Sequence, residues 1–408
     1  MSGATKGLSG TSAPGARLQP AGVRPEDERR PARSWTSYRA EFPIFEHATY
    51  LNTCSLGALG ARVRAAVGRF LDLWDESGAS AWYGPWWEEL EALRESFAAV
   101  IGADRGEVAL APSITGALTA IASCFDYRAR PRVIVSDIDF PTVPYQWLAR
   151  RGVEVVFAQS PDGLGVPVDT FERLIDERTQ LVVASHVYFQ SGEIQDIAAL
   201  ARLAHARGAL LFVDAYQSVG QVPVDVRTLD IDFLATGGLK WLLGGPGIAY
   251  LYVRRELHPT LAPSVVGWFA HGRQFAFDTR HFEYAEDARR FQSGTPSVAA
   301  IYAARAGLEY VQEIGPARLR ARQVELLADL ASGLRELRTL RPRMRGRPED
   351  LAGILTVPVP DPAKAVAALR TSGVIIDARP GVIRLSPYFY NTTEDFERAL
   401  AALRHHLE

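Results

Sequence analysis

Between residues 107 and 253, short apolar runs alternate with stretches of helical periodicity, and that alternation leaves the chain few architectures. The runs Glu107–Ala111, Arg132–Ser136, Glu154–Ala158, Gln180–Ser185, Ala209–Val213, Phe233–Thr236 and Gly247–Val253 have the length and composition of strands. Helical spacing separates several of them, most plainly at Ile197–Ala206. Strands and helices in this order predict an α/β fold: a mostly parallel seven-stranded sheet flanked by helices. Upstream, Val63, Val67, Phe70, Leu71 and Trp74 recur on one helical face within Ala58–Asp75, and a second helix is predicted from Trp86 to Ile101, with Gly102 as its C-cap.

Downstream the pattern changes. Residues 257–292 are rich in aromatics and charge and read as a loop region. A long helical stretch, Ser297 to about Leu337, leads into a smaller α+β unit. Its strands are expected at Ile354–Val357, Val374–Asp377 and Val382–Leu385, and its closing helix at Glu394–Leu407. A chain of 408 residues is too long for one small core. The expected division is a disordered tail at 1–37, an N-terminal segment at 38–58 packing on the small domain and the site, a large domain at 59–292, and a connecting helix plus small C-terminal domain at 293–408. The tail is expected to be disordered because it is rich in Gly, Ser, Ala, Pro and Arg without apolar period.

Several function classes drop out. A formal net charge of −2 leaves no basic footprint for nucleic acid and no polybasic membrane signal. No apolar run approaches the roughly 18 residues of a membrane span, and the first residues lack the apolar region of a secretory signal. Two cysteines, Cys54 and Cys124, build no disulfide framework and fit a reducing, cytoplasmic compartment. The eight histidines have no zinc-ligand spacing, so no metal is expected.

Of 45 lysines and arginines only three are lysine: Lys6, Lys240 and Lys364. Arginine stays protonated, whereas a desolvated lysine loses its proton and can condense with a carbonyl. Lys6 lies in the tail and Lys364 on an amphipathic segment, but Lys240 stands between an apolar strand and a glycine-rich turn. Asp214 ends the run Leu210–Val213, on the rim where open α/β sheets bind ligands. Taken singly, Asp214 reads equally well as a turn cap. With Gln217 three residues later and Lys240 26 residues on, it matches the grip on pyridoxal phosphate: a carboxylate at the ring nitrogen and a lysine at the other end.

The segments Val213-Asp214-Ala215-Tyr216-Gln217-Ser218-Val219-Gly220 and Thr236-Gly237-Gly238-Leu239-Lys240-Trp241-Leu242 resemble the class V aminotransferase superfamily. This is the fold-type I group of cysteine desulfurases, kynureninases and isopenicillin N epimerase-like enzymes. The resemblance runs from about Tyr50 to the C-terminus. It implies a pyridoxal 5'-phosphate enzyme, the large domain holding the cofactor, and a homodimer with shared active sites acting on an amino-acid-like substrate.

The resemblance also assigns single positions. Ser113-Ile114-Thr115-Gly116 opens a helix, so Ile114 and Thr115 would hold the phosphate, although Ser113 or Thr115 also reads as a plain N-cap. Phe140, in Asp139-Phe140-Pro141-Thr142, resembles the phenylalanine that stacks on the ring; alone it would read as core. Thr295, in Gly294-Thr295-Pro296, resembles the residue that reaches the partner's phosphate. Arg384, in Ile383-Arg384-Leu385-Ser386, resembles the arginine that grips the substrate carboxylate. Asn52, in Tyr50-Leu51-Asn52-Thr53, belongs to a segment that folds over the site. Two positions depart from the pattern. Leu239 replaces a His or Tyr phosphate ligand, shifting that duty to Thr115, Thr295 and Thr236. Phe189, in Ser185-His186-Val187-Tyr188-Phe189, replaces an asparagine, so Tyr188 and Phe189 are expected at the substrate.

Desulfurases use a C-terminal cysteine as sulfur acceptor, and no cysteine follows Cys124. A histidine of kynureninases is Gln217 here, which tells against that reaction. Trp82, Tyr83, Trp86, Trp87, Tyr188, Phe189, Trp268 and Phe269 are a surplus of aromatics, most of them expected in the core or a dimer interface; three of them at the entrance would suit a bulky substrate. The preferred expectation is α,β-elimination, of C–S lyase type, on a bulky S-substituted cysteine in specialised metabolism such as antibiotic biosynthesis. Transamination, epimerisation or decarboxylation with oxidative deamination is the alternative, and a non-catalytic cofactor-binding homologue the third reading.

Overall fold

The computed structural model describes residues 33–408. Most of the expected tail lies outside the described residues, but its end is structured. Trp35–Arg39 form helix α1, and Tyr38 is buried in the core. The chain continues through β1 (Thr49–Tyr50), α2 (Ala61–Ser77) and α3 (Pro85–Val100).

The seven expected strands all form, with ends shifted by a residue or two. They are β2 (Val108–Ala111), β3 (Arg132–Ser136), β4 (Glu154–Ala158), β5 (Thr179–Ser185), β6 (Leu210–Asp214), β7 (Phe233–Gly237) and β8 (Ala249–Val253). Between them lie α4 (Ile114–Ala122), α5 (Thr142–Leu148), α6 (Val168–Glu172) and α7 (Ile197–Ala206). They join one sheet in the order β2-β8-β7-β6-β5-β3-β4. Strands β4, β3, β5, β6 and β7 pair in parallel, whereas β8 is antiparallel to both its neighbours. The reason is the short link: residues 238–248 contain no crossover helix, and a parallel return would need one. Lys240 sits in that tight return.

Alternation along the strands feeds two cores. Ile134, Val182, Ala184, Leu211, Val213 and Leu234 face α2, α3 and α7, while Val133, Val135, Leu181, Val183, Phe212 and Ala235 face α4 and α5.

The predicted helix Ser297–Leu337 is two helices, α8 (Val298–Ile314) and α9 (Pro316–Glu336). Gly315 at φ 84° and Pro316 end one and begin the next. Helix α8 packs into the first of these cores, and Leu326, Leu330 and Leu334 of α9 into a third, smaller core in the C-terminal part of the chain. That smaller core also holds β9 (Leu355–Pro358), α10 (Pro362–Thr371), β10 (Val374–Ile375), β11 (Asp377–Arg379), β12 (Val382–Leu385) and α11 (Thr393–Leu407). The single strand expected at Val374–Asp377 is therefore two. Strand β10 pairs in parallel with β1, and β11 is the edge of a three-stranded sheet with β12 and β9. Among the described residues no helix is long and apolar enough to cross a membrane.

Candidate active site

The N-terminal segment 49–57 ties the site together. Thr49 and Leu51 donate to Gly373 and Ile375, Thr53 to the Ser386 carbonyl, and Gly57 to the Leu239 carbonyl. Gly57 has to be glycine: a Cβ there would lie 2.3 Å from the Lys240 carbonyl oxygen. The Gln217 amide donates to Cys54 O at 3.0 Å and accepts from Trp241 Nε1 at 2.9 Å, fixing the segment to both motifs.

Lys240 is 9% exposed. Burial pushes its amine down to about 8; Arg384 and Arg379 push the same way, against Cys54 and Asp214. Its Nζ stands 4.2 Å from the centroid of the Tyr216 ring and 6.0 Å from that of Phe140. Asp214, at the carboxyl end of β6, is pushed up to about 6 by burial, opposed by the Tyr216 N–H and Lys240. Its Oδ1 accepts from Tyr216 N at 2.9 Å, and no hydrogen bond is made to its Oδ2 among the described residues. Phe140 remains 41% exposed although its ring meets Phe189 edge-on at 5.2 Å.

These features fit pyridoxal phosphate. A buried carboxylate short of one donor suits a protonated ring nitrogen, and an aromatic face left open beside the lysine suits a stacked ring. At the phosphate end, Ile114 and Thr115 occupy the first turn of α4, where N–H groups lack intrahelical acceptors. The Thr115 hydroxyl lies 3.0 Å from that of Thr142, which opens α5, so two helix starts converge. The Ile114 side chain itself is buried, leaving only its backbone for this duty. Gln217 has one amide N–H beyond those described above.

Three expectations change. Thr236 follows Ala235, the register partner of Asp214, so the pleat turns it to the opposite face, beside Tyr250. Its buried hydroxyl has no partner, but it does not face the cofactor side. Tyr188 lies in the core with its hydroxyl on Gln195 at 2.9 Å, while its neighbour Phe189 faces the site. The other surplus aromatics form their own cluster. Trp82 packs edge-on against Trp86, Trp87 stacks on Phe269, Phe269 meets Trp268, and Tyr83 is 83% exposed. Thr295 is exposed and accepts from Trp268 Nε1 at 3.3 Å, with no hydrogen bond to the Lys240 cluster.

The carboxylate end is crowded. Arg384 is 0% exposed; Nη1 donates to the Phe189 carbonyl, and Nη2 to Ser55 Oγ and to Asp377. Asn52 bridges to Ser386 beside it, with its Oδ1 4.0 Å from Cys54 Sγ.

Sequence reasoning missed four residues here. Asp377 and Ser55 needed the fold, since β11 and the N-terminal segment meet only in three dimensions. Tyr216 was inside a quoted motif, but its ring contact depends on Gly237, where a Cβ would lie 1.9 Å from Tyr216 Cε2. Asp139, buried beneath Phe140, accepts from Ser136 N at 2.7 Å and Ser185 N at 3.2 Å. Burial and then Asp214 raise it to about 7, against those hydrogen bonds.

Comparison with known proteins agrees with this geometry. The family model for aminotransferase class V matches residues 76–399. The Bacillus subtilis (strain 168) protein described as "uncharacterized aminotransferase YcbU" is 37% identical over 367 residues, covering 89% of this chain and 95% of its own. The kynureninase of Shouchella clausii (strain KSM-K16) is 29% identical over 386 residues, covering 90% of each. Among solved structures, the apo cysteine desulfurase of Thermococcus onnurineus NA1 has a TM-score of 0.83 at 22% identity, covering 92% of this chain and 99% of that one. The cystine C-S lyase C-DES, in complex with cysteine persulfide, also gives 0.83, at 21% identity over 90% of this chain and 100% of that one. At such identities these two establish the fold.

Proposed function

The chain belongs to the class V aminotransferase family, whose enzymes work with pyridoxal 5'-phosphate, and from that premise we propose α,β-elimination on an S-substituted cysteine. Membership in an enzyme family retires the non-catalytic reading. The observation that carries elimination concerns thiols. The C-terminal unit contains none, and the one thiol beside Lys240, on Cys54, is buried on a segment pinned by Gln217 and Ser386. A persulfide acceptor must reach the substrate's sulfur and then hand the sulfur on, which does not suit a buried and pinned Cys54.

Bound here, the cofactor supplies a carbonyl carbon for amine exchange and a ring that withdraws the electron pair from the substrate's α-carbon. The protein's part follows from its residues. Asp214 Oδ2 would accept a hydrogen bond from the protonated ring nitrogen. Phe140 would lie against the ring, and the N–H groups of Ile114 and Thr115 with the Thr115 and Thr142 hydroxyls would hold the phosphate. Lys240, with its amine pushed down to about 8, is partly neutral near neutral pH and removes the α-proton. The C–S electron pair then departs with the thiolate. Arg384 orients the substrate carboxylate, and Asn52 and Phe189 border it. With the aromatic surplus clustered elsewhere, support for a bulky substrate narrows to Phe140 and Phe189, which suits a compact S-substituent, and a role in specialised metabolism rests on that chemistry.

Incubation with S-substituted cysteines, without any keto acid, is expected to release pyruvate, ammonia and the thiol in equal amounts. Turnover that depends on a keto acid would replace elimination by transamination, the second reading, which the aminotransferase description of the Bacillus subtilis relative favours.

The reading extends to a cytoplasmic homodimer. Val266, Trp268, Phe277 and Phe282 are exposed and line a cavity of about 580 Å³, an apolar surface of the kind that seats a partner. Trp268 holds Thr295 on that face. Light scattering is expected to give twice the 44.8 kDa chain mass, and Phe277→Asp to give the single mass.

A further inference from the structure

Arg384 already has a carboxylate. Asp377 on β11 is the register partner of Arg384 on β12, so the pair is set by the sheet. Asp377 Oδ2 accepts from Arg384 Nη2 and from Ser55 Oγ. Its other oxygen, Oδ1, accepts from Arg379 Nη1 at 2.8 Å and from Ala378 N at 2.6 Å. Two guanidinium groups therefore share one carboxylate. On Arg384 itself, the buried Nε has no partner among the described residues, so the fork keeps an unfilled donor although two of its nitrogens are engaged.

We propose that Asp377 is an internal stand-in for the substrate carboxylate, holding Arg384 until an incoming carboxylate exchanges with it. The inference rests on the reading of Arg384 as the carboxylate-binding residue. The charge arithmetic favours exchange over simple addition. A fully buried guanidinium without a counter-charge is costly, so Arg384 keeps an anion in both states, Asp377 in one and the substrate in the other. Asp377 has somewhere to go: Arg379 and the Ala378 N–H already hold its second oxygen, and β11 is a three-residue edge strand whose residues are half-buried. Ser55 acts as the catch, touching both partners of the pair.

Such a device sets specificity. A ligand offering only a carboxylate has to displace Asp377 with nothing else to gain, whereas an amino acid also anchors through its amine. Simple carboxylates are thereby kept out of a site built to bind one.

Acetate titrated into the purified holoenzyme, followed by the change in its visible cofactor band, tests this. Asp377→Asn is expected to bind acetate about tenfold more tightly than the parent. Ser55→Ala, which leaves every charge in place, is expected to bind it a few-fold more tightly. Ser55→Ala separates the stand-in from a general field effect and serves alone if Asp377→Asn fails to fold. Unchanged or weaker acetate binding by Ser55→Ala overturns the proposal, as does weaker binding by Asp377→Asn, which would make Asp377 a mere support for Arg384. Arg384→Gln keeps the two failures apart. If acetate binds that variant as it binds the parent, Arg384 is not the carboxylate site, and the reading of the site fails with it.

Discussion

The two ends of the site are provisioned in opposite ways. At the cofactor end the protein leaves interactions unmade: Asp214 has one backbone donor for two oxygens, Phe140 keeps an open face, and of the first turn of α4 only the Gly116 N–H is capped, by Ser113. At the carboxylate end Arg384 meets Asp377, Ser55 and the Phe189 carbonyl before any substrate arrives. Buried groups without partners cost stability, so the first end marks where a tightly held, resident group belongs. A site that binds and releases ligand every turnover gains from being self-satisfied between turnovers. The second end is built that way in all but the Arg384 Nε.

The sharpest way to break the contrast is Lys240→Ala. If the under-bonded end is the cofactor's, this change abolishes the visible band that borohydride reduction would otherwise trap, and turnover falls by about 10²–10⁴-fold. A variant that keeps both band and rate would make the missing interactions a mere local defect. Next comes Arg384→Gln at the other end. Truncating one partner of a buried charge pair costs a few kcal/mol, so KM is expected to rise about 10–100-fold with the cofactor still bound. Loss of the cofactor instead of a rise in KM would merge the two ends into one.

Gly237→Ala probes the boundary between them. A Cβ at 237 would clash with the edge of the Tyr216 ring, whose centroid lies 4.2 Å from Lys240 Nζ. Overpacking of this kind costs about 1–3 kcal/mol, and displacing the ring removes a contact between an aromatic face and the lysine. Thermal melts of the cofactor-free protein and its affinity for added pyridoxal phosphate are both expected to fall. Gly237→Ala with Tyr216→Leu, which vacates the space, is expected to regain stability but not the amine's environment.

The same contrast explains what could be read from the sequence. The sheet was legible because seven short apolar runs recur with four helical intervals among them, and the Lys240–Asp214 pair because its spacing belongs to the loops that end adjacent strands. These features are local, so residues near in sequence carry the signal. What failed was orientation and long-range meeting. Thr236 sits one residue past the strand position that faces the site, and one step along a strand reverses the side chain. Tyr188 and Phe189 divide in the same way, one to the core and one to the site. Asp377 and Ser55 lie more than 300 positions apart in the chain, and no window along the sequence places them on one arginine. Most of the aromatic surplus packs ring on ring, Trp82 on Trp86 and Trp87 on Phe269, because abundance says nothing about neighbours.

The smallest expected effect separates function from stability at one residue. Asp214 is held up at about 6 by burial, above its ordinary 3.8. An acid with a raised folded pKa gives its full stability below its unfolded pKa and loses it as pH rises through the folded value. In the cofactor-free protein that loss therefore falls between about pH 4 and 6. Lys240 works in the opposite sense: lowered from 10.5 to about 8, it costs stability as pH falls from about 10.5 to 8, and while charged it attracts Asp214. Asp214→Asn is best examined near pH 8.5, where that attraction has mostly gone. The amide fits without conflict, because Oδ1 keeps the Tyr216 N–H and no donor faces Oδ2. Removing the buried charge is expected to stabilise the cofactor-free protein by roughly 1–3 kcal/mol, a rise of a few degrees at most in Tm, by calorimetry. The same variant is expected to lose affinity for the cofactor and turnover, because an amide cannot hold the ring nitrogen's proton as a carboxylate does. If Asp214→Asn instead melts lower at pH 8.5, Asp214 is a structural acid with a partner of its own, and the end of the site that looks unfinished is complete.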